Sequence, residues 1–137
     1  GFDVSSTCVQ QAGKLFPNGN FEQVDLADVH WSVPRMAEDK TKRLYSMRGT
    51  LLYLPSKEAV AQVAKNISSY MKPKEYFLLS QDFPPLKDDF VGKDILPGPE
   101  TILEQFTKHF DAVKTVWLES KLSKSSDNWY IALLQRK

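Results

Sequence analysis

The apolar residues of this chain change their spacing along the sequence, and that change restricts the folds open to it. Short apolar runs of strand length, such as Tyr76-Phe77-Leu78-Leu79 and Tyr130-Ile131-Ala132-Leu133-Leu134, alternate with segments where apolar residues recur every three or four positions. The clearest of these segments follows Ser56, where Val60, Val63, Ala64, Ile67, Tyr70 and Met71 share one helical stripe. Ser56 suits a helix cap, and Pro73 ends the helix. Strands alternating with helices of this length predict an α/β architecture built on a mostly parallel sheet. At 137 residues, 42% of them hydrophobic, residues 1–137 form one domain with a core of its own. No repeat or linker divides it.

The remaining segments fit the same alternation. Gly1-Phe2-Asp3-Val4-Ser5-Ser6 reads as the tail of a buried strand, an acid at its tip, and the cap of a helix running to about residue 16. Val9, Ala12, Gly13 and Phe16 form that helix's stripe, and Pro17-Asn18-Gly19-Asn20 stops it. Phe21-Glu22-Gln23-Val24-Asp25 alternates as a second short strand, again ending in an acid. Residues 26–42 are polar and ambiguous, with Pro34 placed to start a short helix. Leu44-Tyr45-Ser46-Met47 is a strand that leads into a loop at Arg48-Gly49-Thr50. A Pro-rich loop over 82–99 precedes a helix carrying Ile102, Leu103, Phe106 and Phe110. Two closing strands, 113–118 and 129–134, flank a polar turn and should pair antiparallel.

Composition excludes several function classes. Eighteen basic residues against seventeen acidic ones leave no field to draw nucleic acid or a membrane surface. No apolar run approaches the length of a membrane span, and no signal-peptide pattern opens the chain. Cys8 is the only cysteine, so neither an internal disulfide nor a thiolate metal cluster can form, which fits a reducing, cytoplasmic setting. Core burial is the expectation for Cys8. His30 and His109 lie far apart without a ligand-spaced partner, and His109 is expected beside the apolar stripe of its helix. Asp88-Asp89 and Asp94 read as a solvated acidic loop. Neither Gly-x-Ser-x-Gly nor a phosphate-binding loop occurs.

The order of these motifs resembles the class I S-adenosylmethionine-dependent methyltransferases. Gly1-Phe2-Asp3-Val4-Ser5 is similar to their second-strand motif, and Asn20-Phe21-Glu22-Gln23-Val24-Asp25-Leu26 to their third. Gly49-Thr50-Leu51-Leu52-Tyr53-Leu54-Pro55 resembles the segment after their fourth strand, and residues 70–80 resemble the helix end and fifth strand. The resemblance implies a Rossmann-like sheet, mostly parallel with a C-terminal antiparallel hairpin, and S-adenosylmethionine as cofactor. It implies that Asp3 grips the ribose hydroxyls, with Val4 beside it. Asp25 would then accept from the adenine amino group, next to the Leu26 amide. Arg48 falls on the cofactor side and Tyr53 on the acceptor side. Asp3 also admits a plainer reading, as an acid capping the helix that follows, and Asp25 as an ordinary turn residue.

Three departures from the family stand out. Its first strand and glycine-rich loop have no counterpart here. A sheet lacking its centre leaves backbone groups unpaired, so the expectation is a fold incomplete on its N-terminal side. The segment would come from a longer chain, a second fragment or a partner subunit, or else the chain rearranges. Arg43 stands where the family often has an acid, and Pro73-Lys74-Glu75 where it commonly has Pro-Gly-Gly. The latter is tolerable unless that backbone takes a positive φ. Ser46-Met47-Arg48-Gly49-Thr50 replaces the Asn-Pro-Pro-Tyr of nucleic-acid amino methylases, so a small molecule or a protein side chain is the expected acceptor. Two functions follow: methyl transfer once the missing segment is supplied, or a non-catalytic binding or scaffold module.

Overall fold

Two serines start the two best-capped helices. The Ser5 hydroxyl accepts from the Cys8 N–H (3.3 Å) ahead of α1 (Ser6–Leu15), and the Ser56 hydroxyl from the Ala59 N–H (3.2 Å) ahead of α2 (Lys57–Tyr70). A computed structural model describes residues 1–31, 43–83, 99–119 and 128–137. The other elements are strands β1 (Phe2–Asp3), β2 (Glu22–Gln23), β3 (Leu44–Arg48), β4 (Tyr76–Phe83), β5 (Phe110–Glu119) and β6 (Asn128–Arg136), with helix α3 (Pro99–Phe106) between β4 and β5. A single 3₁₀ turn, Leu51–Tyr53, follows β3. Pro34 and the acidic loop at Asp88-Asp89 and Asp94 lie outside the described residues.

The strands form two sheets. β1 and β2 pair in parallel, while the second sheet runs β3-β4-β6-β5. In it β3 and β4 are parallel, and β6 lies antiparallel to both neighbours. The architecture is α/β, with the antiparallel closing hairpin that the sequence predicts, but among the described residues the four-stranded sheet is mixed rather than mostly parallel, two of its three strand pairings being antiparallel. The core lies on one face of the four-stranded sheet. Phe77, Leu79, Ala132 and Leu134 from the strands meet Val60, Val63, Ala64 and Ile67 of α2 and Ile102 and Phe106 of α3. Phe77, Phe106 and Phe110 form a ring cluster with centroids 5.8 to 5.9 Å apart. Such aromatic contacts add about 1 kcal/mol each beyond the area they bury.

Several local expectations change. Phe110 opens β5 rather than continuing α3, because residues 107–109 turn the chain after Phe106. His109 therefore sits in that turn, where burial first, then Arg136 and Lys108, hold its pKa below the usual value. β5 also carries a bulge between Ala112 and Lys114, which leaves Val113 unpaired and 51% exposed. Cys8 is exposed, not core. No residue of α1 is buried, and Phe16 on its stripe is 62% exposed. Lys74 adopts φ 69°, so the Pro73-Lys74-Glu75 turn does enter the left-handed region that favours glycine. The turn is held by the Lys74 N–H donating to Arg136 O (2.9 Å) and the Arg136 N–H to Glu75 O (2.9 Å).

Candidate functional site

The two sheets present facing opportunities at their edges. Among the described residues β1 pairs with β2 alone, and β3 with β4 alone. A cleft of about 520 Å³ is lined by both strands, through Gly1, Phe2 and Asp3 on one side of the sequence and Leu44 to Arg48 on the other. Ile67, Tyr70 and Phe77 connect it to the core.

The turn after β3 shapes one end of the cleft. Gly49, at φ 65°, donates its N–H to Ser80 O (2.9 Å), and Thr50 Oγ1 donates to Arg48 O (3.3 Å). The next residue is pinned from within, because the Leu51 N–H donates to Oε1 of the fully buried Gln81 (3.2 Å). A buried amide side chain used this way satisfies a backbone group that the turn would otherwise strand. Arg48 remains exposed at the strand tip, its guanidinium 4.9 Å from the centroid of the Trp129 ring. That cation–π contact fixes the direction of a long, mobile side chain.

The β1 side is tied to the rest by α2. Asn66 is buried, and its amide N–H groups donate to Leu26 O (2.9 Å) and Asp28 O (2.8 Å). Gln62 donates to Asn66 Oδ1 (2.7 Å), which orients the amide for both bonds. Aromatic rings add a second tie. Phe2 and Tyr70 meet edge to face at 5.5 Å, Phe2 and Trp31 at 6.3 Å, and Tyr45 and Tyr70 at 6.0 Å. Burial is the main cause that raises the pKa of both Tyr45 and Tyr70, so each phenol stays a neutral donor at the cleft.

The six residues singled out from sequence divide into two groups. Asp3, Leu26 and Arg48 line the cleft, whereas Val4, Asp25 and Tyr53 do not. Asp3 Oδ1 accepts the Ser5 N–H (2.7 Å), which orients the carboxylate and leaves lone pairs for another donor. Asp25 Oδ1 accepts the Ala27 N–H (2.8 Å) in the same kind of local turn. Val4 is 66% exposed and its carbonyl accepts from Gln23 Nε2 (3.1 Å). Tyr53 is 87% exposed. Trp31 and Tyr70 are cleft residues that the sequence reading missed. Tyr70 had been absorbed into a helix stripe, and Trp31 sits in a polar segment with no pattern to mark it. Among the described residues no three metal-ligating side chains converge, and no helix is long and apolar enough to cross a membrane.

No protein-family profile matches the chain, and no curated protein matches it in sequence. Solved structures do. N-methyltransferase NodS from Bradyrhizobium japonicum, in complex with S-adenosyl-L-homocysteine, superposes with a TM-score of 0.72 at 14% identity over 98% of this chain. The chain has the class I methyltransferase fold. It spans 64% of the length of NodS. A TehB-like SAM-dependent methyltransferase from Corynebacterium glutamicum gives 0.68 at 15% identity, over all of this chain and 67% of its own. The [4+2]-cyclase SpnF gives 0.72 at 14% identity, over 99% of this chain and 65% of its own. The methyltransferase fold thus hosts more than one chemistry, and function has to be argued from the site.

Proposed function

We propose that this chain binds S-adenosylmethionine in the cleft between β1 and β3 and serves methyl transfer to a small molecule or a protein side chain. The observation that carries the reading is Asp3. It stands at the carboxyl end of a parallel strand, lines the cleft, and has its carboxylate preset by the Ser5 amide. In open α/β sheets ligands bind beyond the carboxyl ends of the strands, where an acid can accept from both ribose hydroxyls. Leu26 would pack beside the adenine and Arg48 would meet the cofactor from the β3 side. Val4, Asp25 and Tyr53 lie outside the cleft lining, so Val4 and Asp25 would reach the adenine, and Tyr53 the acceptor, only from its rim. Methyl transfer from a sulfonium is an in-line displacement, so positioning supplies much of the rate.

The reading further requires a strand and a glycine-rich loop between β1 and β3, from the same chain or a partner. Among the described residues both strands have an unpaired side, and the sheet face away from α2 and α3 leaves Leu44, Tyr76 and Leu118 between 41% and 63% exposed. Sheets built by strand–helix alternation normally carry cover on both faces. The alternative is a non-catalytic module, favoured by one observation: Asp3 and Asp25 each have a local structural use in a turn.

Calorimetric titration of the native protein with S-adenosylhomocysteine, alongside its intact mass, separates the two. The proposal expects binding that Asp3→Ala reduces at least about tenfold, the loss typical of charge-assisted bonds. Binding unaffected by Asp3→Ala would move the cofactor elsewhere. A native mass equal to this chain with no binding at all would leave the scaffold reading.

A further inference from the structure

Two buried amides reach the backbone beside the cleft from within the core, Asn66 on the β1 side and Gln81 on the β3 side. Gln81 is the less expected of the two. Phe77, Leu79 and Gln81 follow the alternation of β4 on its core face, and all three are buried. An apolar residue would suit that position, since a buried amide costs free energy unless its polar atoms are used. The Gln81 oxygen is used: Oε1 accepts the Leu51 N–H at 3.2 Å. Leu51 is itself 0% exposed, so water does not reach that N–H while the turn keeps its place.

The bond fixes a stretch of chain rather than one residue. Ser80 O accepts the Gly49 N–H (2.9 Å) and Gln81 Oε1 the Leu51 N–H, so neighbouring residues of β4 grip alternate amides of the turn. β4 lies between β3 and β6, inside its sheet. The 3₁₀ turn continues from there, with the Tyr53 N–H donating to Thr50 O (3.2 Å) and the Leu54 N–H to Leu51 O (3.3 Å). Thr50, between the two gripped amides, and Arg48, just before them, line the cleft. Gln81 is not among the lining residues and acts on the cleft only through this turn.

We propose that Gln81 is a positioning residue of the cleft, holding Arg48 and Thr50 where they meet the part of the cofactor beyond the ribose. The inference rests on the cofactor reading above. Without the Gln81 oxygen, the Leu51 N–H is either stranded in the core or hydrated by a turn that has opened. Binding must then close the turn again, so the cost of the stranded donor is read in the affinity. Asp3 and Leu26 are held from elsewhere, by the Ser5 amide and by Asn66, and keep their places. Loss of Gln81 therefore weakens one side of the site and spares the other.

The test is titration of the native protein and of Gln81→Met, which is close in size and lacks the acceptor, with two probes. S-adenosylhomocysteine would span both sides of the cleft, whereas adenosine would reach only Asp3 and Leu26. Gln81→Met should weaken S-adenosylhomocysteine about tenfold, the scale of one stranded donor, and leave adenosine unchanged. Gln81→Asn keeps an amide but is one methylene too short to reach Leu51. It should show the same split, and it carries the test if the methionine variant does not fold. A merely structural role would weaken both probes together. The inference is overturned if the variants bind S-adenosylhomocysteine as the native protein does, or if both probes weaken by the same factor; the cofactor reading survives either result. Native protein that binds S-adenosylhomocysteine but not adenosine also overturns it, since the nucleoside would then have no hold of its own on the β1 side. Native protein that does not bind S-adenosylhomocysteine overturns the reading and the inference together.

Discussion

The four-stranded half and the two-stranded half of this molecule are held together by different physics. In the first, β4 and β6 pair over eight residues and bury Phe77, Leu79, Ala132 and Leu134 beneath α2 and α3. In the second, β1 and β2 pair over two residues, and neither they nor α1 contain a buried side chain. Among the described residues, what ties the smaller half is borrowed from the larger: the two Asn66 bonds, the Phe2–Tyr70 contact, and Leu26 and Ala27 packed at the edge of the core. One half is stabilised by extensive buried apolar area, the other by a few directed contacts and two partly buried side chains. The candidate cofactor site spans both, so its rigidity is limited by the weaker.

Mutations should expose that difference. Phe77→Ala removes a ring that is 1% exposed and stacked on Phe106, and should cost about 3–5 kcal/mol. Chemical denaturation would report it as a loss across the whole molecule. Asn66→Ala should cost about 2 kcal/mol, because it leaves the Leu26 and Asp28 carbonyls without their donor. Its signature is regional. Amide exchange should quicken at Glu22 and Val24, whose N–H groups donate to Gly1 O and Asp3 O, while β4 and β6 stay protected. If exchange rose equally in both halves, they would be one cooperative unit and the comparison would collapse.

The same division explains what the sequence made legible. Elements of the four-stranded half were readable because their apolar periods report real burial: the stripe from Val60 to Met71 is the buried face of α2. The stripe on α1 has the same period but buries nothing, since periodicity reports what a helix could cover and not what is there to be covered. Phe110 was misassigned because its spacing from Phe106 is helical, while the turn at 107–109 depends on tertiary contacts. Of the residues that line the cleft, Asp3 was legible as an acid at a strand tip, and Leu26 and Arg48 through the resemblance to the family. Trp31, Tyr70 and Asn66 were not, because their roles arise only when α2 meets the β1 side.

Smaller effects sharpen the picture of the larger half. Lys74→Gly should stabilise the protein by about 1 kcal/mol, the penalty a side chain incurs in the left-handed region. The turn joins the entry of β4 to the end of β6, so the gain should appear as slower unfolding of this half. No change in Tm for Lys74→Gly would mean that the lysine's own contacts offset the strain.

The smallest effect concerns His109, at the turn between α3 and β5. Its pKa in the fold lies below the ordinary 6.5, from burial first and then from Arg136, Lys108, Lys137 and Lys65. The unfolded chain therefore binds this proton more readily than the folded one. By linkage, the contribution of His109 is fully present above pH 6.5 and is lost as pH falls from there toward the lower, folded pKa. His109→Gln should flatten the stability profile over that window and leave it unchanged at pH 8. Because the turn belongs to the larger half, the pH effect should follow the β4–β6 amides and spare those of β2. A profile in which β2 loosened first on mild acidification would instead place the sensitive group in the smaller half. His109 would then not be its cause.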